Sequence, residues 1–439
     1  MKTLFILILF VVMLMIIISK DTKRLVWLMA GIFFLNDTIS IQPFSSYTLI
    51  LTAFFMSLVL HKEAKAAWKS FPFKALTIVV LIIHVLVVQF DERSFNGLAY
   101  ISRVFNNFVP RFFALFVGYA AITSTQVWKR VSKPLYTIFL IMCIYGFMTF
   151  FFQSNPYYDM LCMSFNSELG IWSGVQDRGY RVFSTLNNPI VYSYVMFLAT
   201  TYLYLQRRSF GKLEYALLTL LTVLNAFLAN SRTGLVAGVL LLALYALVEY
   251  RFSYRVVVFL ASGLIIFALL YQNLGFVKDS ADSVFDIIKT GGQNTNGSTT
   301  DLKQDQLETS LFFFSLHPFF GNGFNYYQEV IGVRYDTGKI GLAGLEGYGY
   351  KLLVEEGIFM IIAVVLLFFQ MLLFFFKRLS IKQYSSMGIA WVISFLFYML
   401  TAGSYGGIFT IGMIFIGMLV KYVQIQYFES KEPNRSNGR

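Results

Sequence analysis

Five arginines stand out by position: Arg103, Arg111, Arg178, Arg181 and Arg232 all lie at or near the ends of apolar stretches, on the side where such a chain carries few basic residues. Arg232 is the sharpest case. It belongs to Asn230-Ser231-Arg232-Thr233-Gly234, a polar knot between two apolar runs. An arginine costs at least about 2.5–3.5 kcal/mol at the centre of a bilayer and less near its surface, so something must compensate it. A guanidinium stays charged and offers a planar fork of N–H donors that matches phosphate oxygens. Arg181 and Arg232 are therefore candidates for gripping a phosphate-bearing ligand, with Arg111 and Arg178 as further candidate contacts. The competing account pairs each arginine with a loop carboxylate or a lipid headgroup.

Other chemistries find less support. The chain has three histidines, His61, His84 and His317, and two cysteines, Cys143 and Cys162, without metal-ligand spacing. No metal and no cofactor is expected. A glycine-rich phosphate loop ending in Lys and Ser or Thr is absent from the sequence, so nucleotide energy is not expected to be used. His317 precedes Pro318 and reads first as a turn residue, with substrate contact as its second role. Tyr326, Tyr327, Tyr335, Tyr348 and Tyr350 suit stacking on sugar faces or anchoring at a membrane interface. Asp37, Glu355 and Glu356 are carboxylates at the edges of apolar runs.

These residues are carried by a chain that is 57% hydrophobic, 18% aromatic and only 13% charged, with a mean hydropathy of +0.65. That is outside the soluble range and predicts an all-α polytopic membrane protein. Thirteen stretches read as spans: Thr3–Ser19, Leu25–Ile41, Ser45–His61, Ala75–Phe90, Phe108–Thr123, Pro134–Phe152, Pro189–Gln206, Leu213–Asn230, Thr233–Tyr250, Val256–Tyr271, Leu352–Phe376, Ser385–Thr401 and Gly407–Phe428. The net charge of +12 is no sign of nucleic acid, because the basic residues sit in short connections such as Lys129-Arg130 and Lys377-Arg378. They follow the positive-inside pattern. Alternation from these anchors leaves 91–107, 154–188 and 273–350 outside, the N-terminus outside and the tail 429–439 inside. The organisation expected is spans over 1–272, one large extracytoplasmic loop with short helices over 273–350, and spans over 351–428. Within the loop, Thr300-Asp301 starts a helix that Pro318 ends, and its Leu311-Phe312-Phe313-Phe314 suits a bilayer surface.

Four local patterns, in order, resemble the O-antigen polymerase and ligase family of bacterial envelope enzymes, the Wzy and WaaL types. They are Arg181-Val-Phe-Ser-Thr-Leu-Asn-Asn-Pro189; Ser231-Arg232-Thr233-Gly234; His317-Pro318-Phe-Phe-Gly321-Asn-Gly323-Phe324; and Tyr350 to Gly357, closing in Glu355-Glu356-Gly357-Ile358. Together they cover roughly 178–358. The resemblance implies a GT-C-like fold and glycosyl transfer from undecaprenyl-diphosphate-linked oligosaccharide at the outer face of the bacterial cytoplasmic membrane, where the protein would be multi-pass. On this view Arg181 and Arg232 neutralise the departing diphosphate. Ligases of the family carry a His-Asn pair about eleven residues before the Gly-Ile. Here that register gives Glu346-Gly347, which makes Glu346 the expected base for the acceptor hydroxyl and favours a polymerase of capsule, exopolysaccharide or O-antigen repeat units. The alternatives are an O-antigen ligase and, from another class, a lipid-linked oligosaccharide flippase. Expected partners are the lipid-linked oligosaccharides, the bilayer, and a chain-length regulator and flippase of the same pathway.

Overall fold

In the computed structural model, residues 1–93, 95–165, 180–251, 253–291, 300–330, 347–403 and 407–431 are described. Each of the thirteen expected stretches contains a helix. Long apolar runs without water to bond their backbone have no other open-chain solution in a bilayer. Among the described residues, five helical segments are long and apolar enough by themselves to cross a membrane: Thr125–Phe152, Arg232–Tyr250, Tyr348–Phe376, Leu379–Ala402 and Ile408–Lys431. Two bent pairs raise that number to seven. One is Ala64–Ser70 with Lys74–Gln89, bent by 104°, and the other is Ala261–Asn273 with Gly275–Asp286, bent by 113°. Lys2–Ile18, Ser46–Leu60 and Pro189–Leu205 are apolar but shorter. The bundle is an all-α polytopic membrane protein. Its outer faces carry exposed Leu7, Phe10, Phe151, Leu264, Ile265, Val365 and Phe369, a surface that suits lipid and not water.

The expected span Leu25–Ile41 needs correction. The helix Asp21–Phe34 stops at Phe34, and Ser40–Ile41 pairs antiparallel with Phe44–Ser45 in a small hairpin. Asn36 and Asp37 interrupt the apolar run, and the Asn36 carbonyl side chain takes up the Thr38 N–H at 3.1 Å, turning the chain. Asp37 thus lies in a connection and not inside a helix.

The basic connections meet at one end of the bundle. Arg24 pairs with Glu63 at 2.5 Å, Gln206 Nε2 donates to the Trp128 carbonyl at 2.8 Å, and the Tyr119 hydroxyl lies 2.7 and 2.6 Å from two acceptors, Ser70 O and Gln424 Oε1. Arg207 reaches Gln383 there as well. The opposite end collects the 36–45 connection, 91–107, 155–165, 180–188 and the polar helices after residue 273. Lys2 lies 5.7 Å from the ring of Phe165, so the N-terminus shares that opposite end, as alternation from the basic anchors requires.

Two polar helices build much of this end. Thr300–Leu316 has the limits the sequence set for it, and its exposed side bears Leu307, Leu311, Phe312 and Leu316 while Gln306 and Ser310 are buried. Gly275–Thr290 lies in the segment expected to hold short helices, though no local pattern sets its bounds. It is a helix whose inner stripe, Val277, Ser280, Ala281 and Ser283, packs against the ends of the helices Lys212–Leu228 and Arg232–Tyr250.

Candidate active site

The Arg232 knot is made by local chemistry. Ser231 caps the helix Arg232–Tyr250 by accepting the Gly234 N–H at 3.1 Å, and Asn230 takes a left-handed φ of 44° to reverse the chain. Arg232 therefore begins a helix, where N–H groups and the helix dipole already favour an anion. Its side chain is buried, 8% exposed, and its Nε donates to Ser283 Oγ of the helix Gly275–Thr290. One turn earlier Ser280 Oγ donates to the Phe227 carbonyl at 3.1 Å, closing the end of the preceding helix.

Arg181 arrives from the other side. The Val182 N–H donates to the Leu228 carbonyl at 3.2 Å, so the 180–188 segment lies along the chain that leads into the knot. Asn188 then caps the helix Pro189–Leu205, accepting from Ile190 N at 2.7 Å, with Pro189 at the first helical position. Arg181 is buried, 7% exposed. The first two sequence patterns are thus neighbours in space. Asp37 completes the surround, because Asn187 Nδ2 donates to its Oδ1 while Asn36 Nδ2 donates to the Thr185 carbonyl at 3.2 Å. Burial pushes the half-buried Asp37 carboxyl up from its usual 3.8 to about 6, against the lowering effect of bonds from its own backbone and Asn187.

The third and fourth patterns lock together as a second unit. Asn322 N and Nδ2 both donate to the Val354 carbonyl, at 3.0 and 2.7 Å, Gly323 N donates to Glu355 O at 3.1 Å, and Ile358 N donates to Pro318 O at 2.9 Å. Gly321 and Gly323 have φ of 72° and 93°, and a Cβ on Gly323 would stand 1.8 Å from Asp91 Oδ2. The two glycines thus make a tight turn. Leu352–Glu356 is a π-helix, an irregularity that turns Glu355 and Glu356 into the protein. Glu356 is fully buried and pairs with Arg111 Nη1 at 3.1 Å, the Tyr348 hydroxyl lies a long 3.5 Å from the same oxygen, and the Arg111 guanidinium faces the Tyr348 ring at 5.5 Å. Glu355 pairs with Lys351 at 3.4 Å and accepts the Tyr327 N–H at 3.4 Å.

Residues 217–342 match the family model described as O-antigen ligase. The match supports the O-antigen ligase and polymerase family and, with it, membrane glycosyl transfer as the type of chemistry. It takes in the second and third patterns, begins after the first and ends before the fourth, and spans less than a third of the chain. No curated protein matches the sequence.

The other expected residues have more ordinary settings. His317 is partly exposed, 3.5 Å from the exposed Glu92, and its carbonyl accepts the Gly321 N–H at 2.9 Å, the turn role. Tyr350 donates from its hydroxyl to Lys303 O at 3.2 Å, tying the fourth pattern to the helix Thr300–Leu316. Arg103 binds Glu329 at 2.8 Å and the Phe324 carbonyl at 2.6 Å, so this arginine is matched by a carboxylate and a backbone oxygen. Arg178 and Glu346 lie outside the described residues. Reasoning from sequence missed Ser283 and Ser280. Their signal was a stripe of small residues at helical spacing, Val277, Ser280, Ala281 and Ser283, within a segment polar enough to pass for loop.

Proposed function

We propose that this chain polymerises undecaprenyl-diphosphate-linked repeat units of a capsule, exopolysaccharide or O-antigen at the outer face of a bacterial cytoplasmic membrane. The observation that carries the proposal is the burial of Arg232 at a helix start inside the segment that matches the O-antigen ligase model, with the Arg181 segment bonded alongside. Two guanidinium groups and a helix N-terminus form an anion site at the end of the bundle opposite the basic connections, where a lipid diphosphate would stand with its tail in the bilayer.

The reaction follows from that placement. The acceptor hydroxyl oxygen bonds to the anomeric carbon of the donor glycan, the bond from that carbon to the diphosphate oxygen breaks, and the electron pair leaves with the lipid diphosphate. Arg181 and Arg232 stabilise the charge that grows there, which is strongest in the transition state. The acceptor proton passes to a base, and Glu346 is the proposed one; Glu346→Gln keeps the shape of the side chain and is expected to slow turnover by roughly 10²–10⁴. Arg111 and Tyr348, proposed as ligand contacts, also partner Glu356 and so brace the outer turn.

A second use of the same site, transfer of finished glycan to another acceptor, is favoured by the description of the matching family as a ligase. The two divide in one experiment. Purified protein in nanodiscs receives lipid-linked repeat units with no other acceptor. A ladder of lengthened glycans is the polymerase outcome; turnover only after a second saccharide acceptor is added makes the protein a ligase and overturns polymerisation.

A further inference from the structure

A pocket of about 470 Å³ opens at the same end of the bundle, within the range of roughly 300–1,000 Å³ typical of small-molecule sites. One wall is Gln42 in the hairpin connection. A second is the helix Gly97–Phe108 with its cap residue, bearing Asn96, Ser102, Arg103 and Asn107, and the third is Asn325 of the 317–330 turn. Carboxamides make up half of the ten lining residues, with Pro43, Leu98 and Ala99 as apolar wall between them. Asn96 uses its carbonyl on the Ala99 N–H at 2.8 Å and Asn107 uses its amide on the Arg103 carbonyl at 2.7 Å, which leaves Asn96 its donors and Asn107 its acceptor. Arg103 brings a charge that Glu329 offsets with contacts of 2.8 and 2.9 Å, and Arg93, which shares that carboxylate, has Asp91 as its second partner. The result is a near-neutral concavity with donors and acceptors interleaved. That matches hydroxyl and acetamido groups, each of which both gives and takes hydrogen bonds, and suits a phosphate poorly.

The walls are fixed before any ligand arrives. Asn106 Nδ2 donates to Pro43 O at 2.7 Å and its Oδ1 accepts the Ser45 N–H at 3.2 Å, while Arg103 holds the Phe324 carbonyl at 2.6 Å beside Asn325. The connection that supplies Gln42 is the one whose Asn36 and Asp37 bond the Arg181 segment, so one connection joins the pocket to the arginine site. We propose that this pocket is a subsite for an uncharged sugar of the glycan, set apart from the arginines that take the diphosphate. The proposal rests on the glycosyl-transfer function above.

The test labels the pocket directly. Ala99→Cys places a half-exposed thiol on the pocket wall, while native Cys143 and Cys162 are buried. Oligosaccharide released by mild acid from the host's lipid-linked repeat units should slow its reaction with a water-soluble maleimide, and inorganic pyrophosphate should not. In parallel, the double variant Gln42→Ala with Asn325→Gly, where glycine keeps the left-handed φ of 60°, should raise KM for lipid-linked repeat units about tenfold with kcat within about twofold, as loss of a few neutral hydrogen bonds requires. Protection by pyrophosphate makes the pocket an anion site and overturns the proposal. Unchanged labelling with an unchanged KM also overturns it, while wild-type turnover leaves the glycosyl-transfer function standing. A wild-type protein that does not turn over the lipid-linked substrate defeats that function instead, and the labelling arm still decides whether the pocket takes sugar.

Discussion

Replacing Arg232 separates the anion site from the structure that holds it. In Arg232→Ala the charge and the bond to Ser283 Oγ both vanish. If the guanidinium grips the leaving diphosphate, two charge-assisted hydrogen bonds of about 1.5–3 kcal/mol each are lost where they matter most, in the transition state. The sum, about 3–6 kcal/mol, corresponds to roughly 10²–10⁴ in kcat/KM. Arg232→Lys keeps a charge and loses the fork, so a deficit of roughly 10–100-fold is expected. Ser283→Ala keeps the guanidinium and removes one partner, worth about 1 kcal/mol or less than tenfold. The graded order Ala, Lys, Ser283→Ala is what the geometry demands. The assay is turnover of lipid-linked repeat units by protein in nanodiscs, with thermal unfolding of each variant measured alongside. Wild-type rates in a folded Arg232→Ala protein would refute the assignment.

Three further predictions concern the surrounding scaffold. Glu356→Gln leaves Arg111 charged and buried without its carboxylate, which should cost about 3–5 kcal/mol of stability, whereas the double change Arg111→Met with Glu356→Met should cost much less; equal and additive losses in denaturant unfolding would show that the two do not act as a pair. Gly323→Ala should destabilise the 317–330 turn by at least about 1–3 kcal/mol, since alanine meets both a positive φ and Asp91, and the effect is read as faster proteolysis there; an unchanged cleavage rate contradicts it. Asp37 supplies a pH dependence. Its carboxyl titrates at about 6 in the folded protein against its usual 3.8, so the folded state holds the proton more tightly. The stability this contributes is complete below the usual value and is lost as pH rises through about 6. Asp37→Asn, a mimic of the protonated acid, should therefore melt higher than wild type at pH 7.5, by about 1–2 kcal/mol once solvent screening of this half-buried group is allowed for, and the gap should close towards pH 4; a gap that is constant with pH counts against the shift.

Much of the fold was legible because a bilayer leaves long apolar runs one form. Wherever thirteen such stretches were read, a helix stands, and the polar helix Thr300–Leu316 begins where Thr300-Asp301 marks its start. Errors fall where that constraint weakens. Asp21–Phe34 ends early because the Asn36-Asp37 turn overrides the hydropathy of Ile39 and Ile41, and the bounds of Gly275–Thr290, one of the short helices expected in 273–350, were unmarked because it buries serines instead of leucines. Arg232 and Arg181 announced themselves as charges in the wrong place. Arg103 did too, and only tertiary structure reveals Glu329 beside it, 226 residues along the chain. The pairing of Arg111 with Glu356 was equally invisible, because sequence shows a charge without its partner. The pocket between the hairpin and Asn325 draws on three distant segments and no local pattern marks it.

The most direct measurement of the central claim is the release of lipid diphosphate during glycan transfer. Wild-type protein in nanodiscs, given lipid-linked repeat units, should free one undecaprenyl diphosphate for every glycosidic bond made, without nucleotide, and Arg181→Ala and Arg232→Ala should each suppress both products together while remaining folded. Lipid-linked substrate that is left intact by the wild type, or moved across the membrane with its diphosphate linkage unbroken, would contradict glycosyl transfer by this chain.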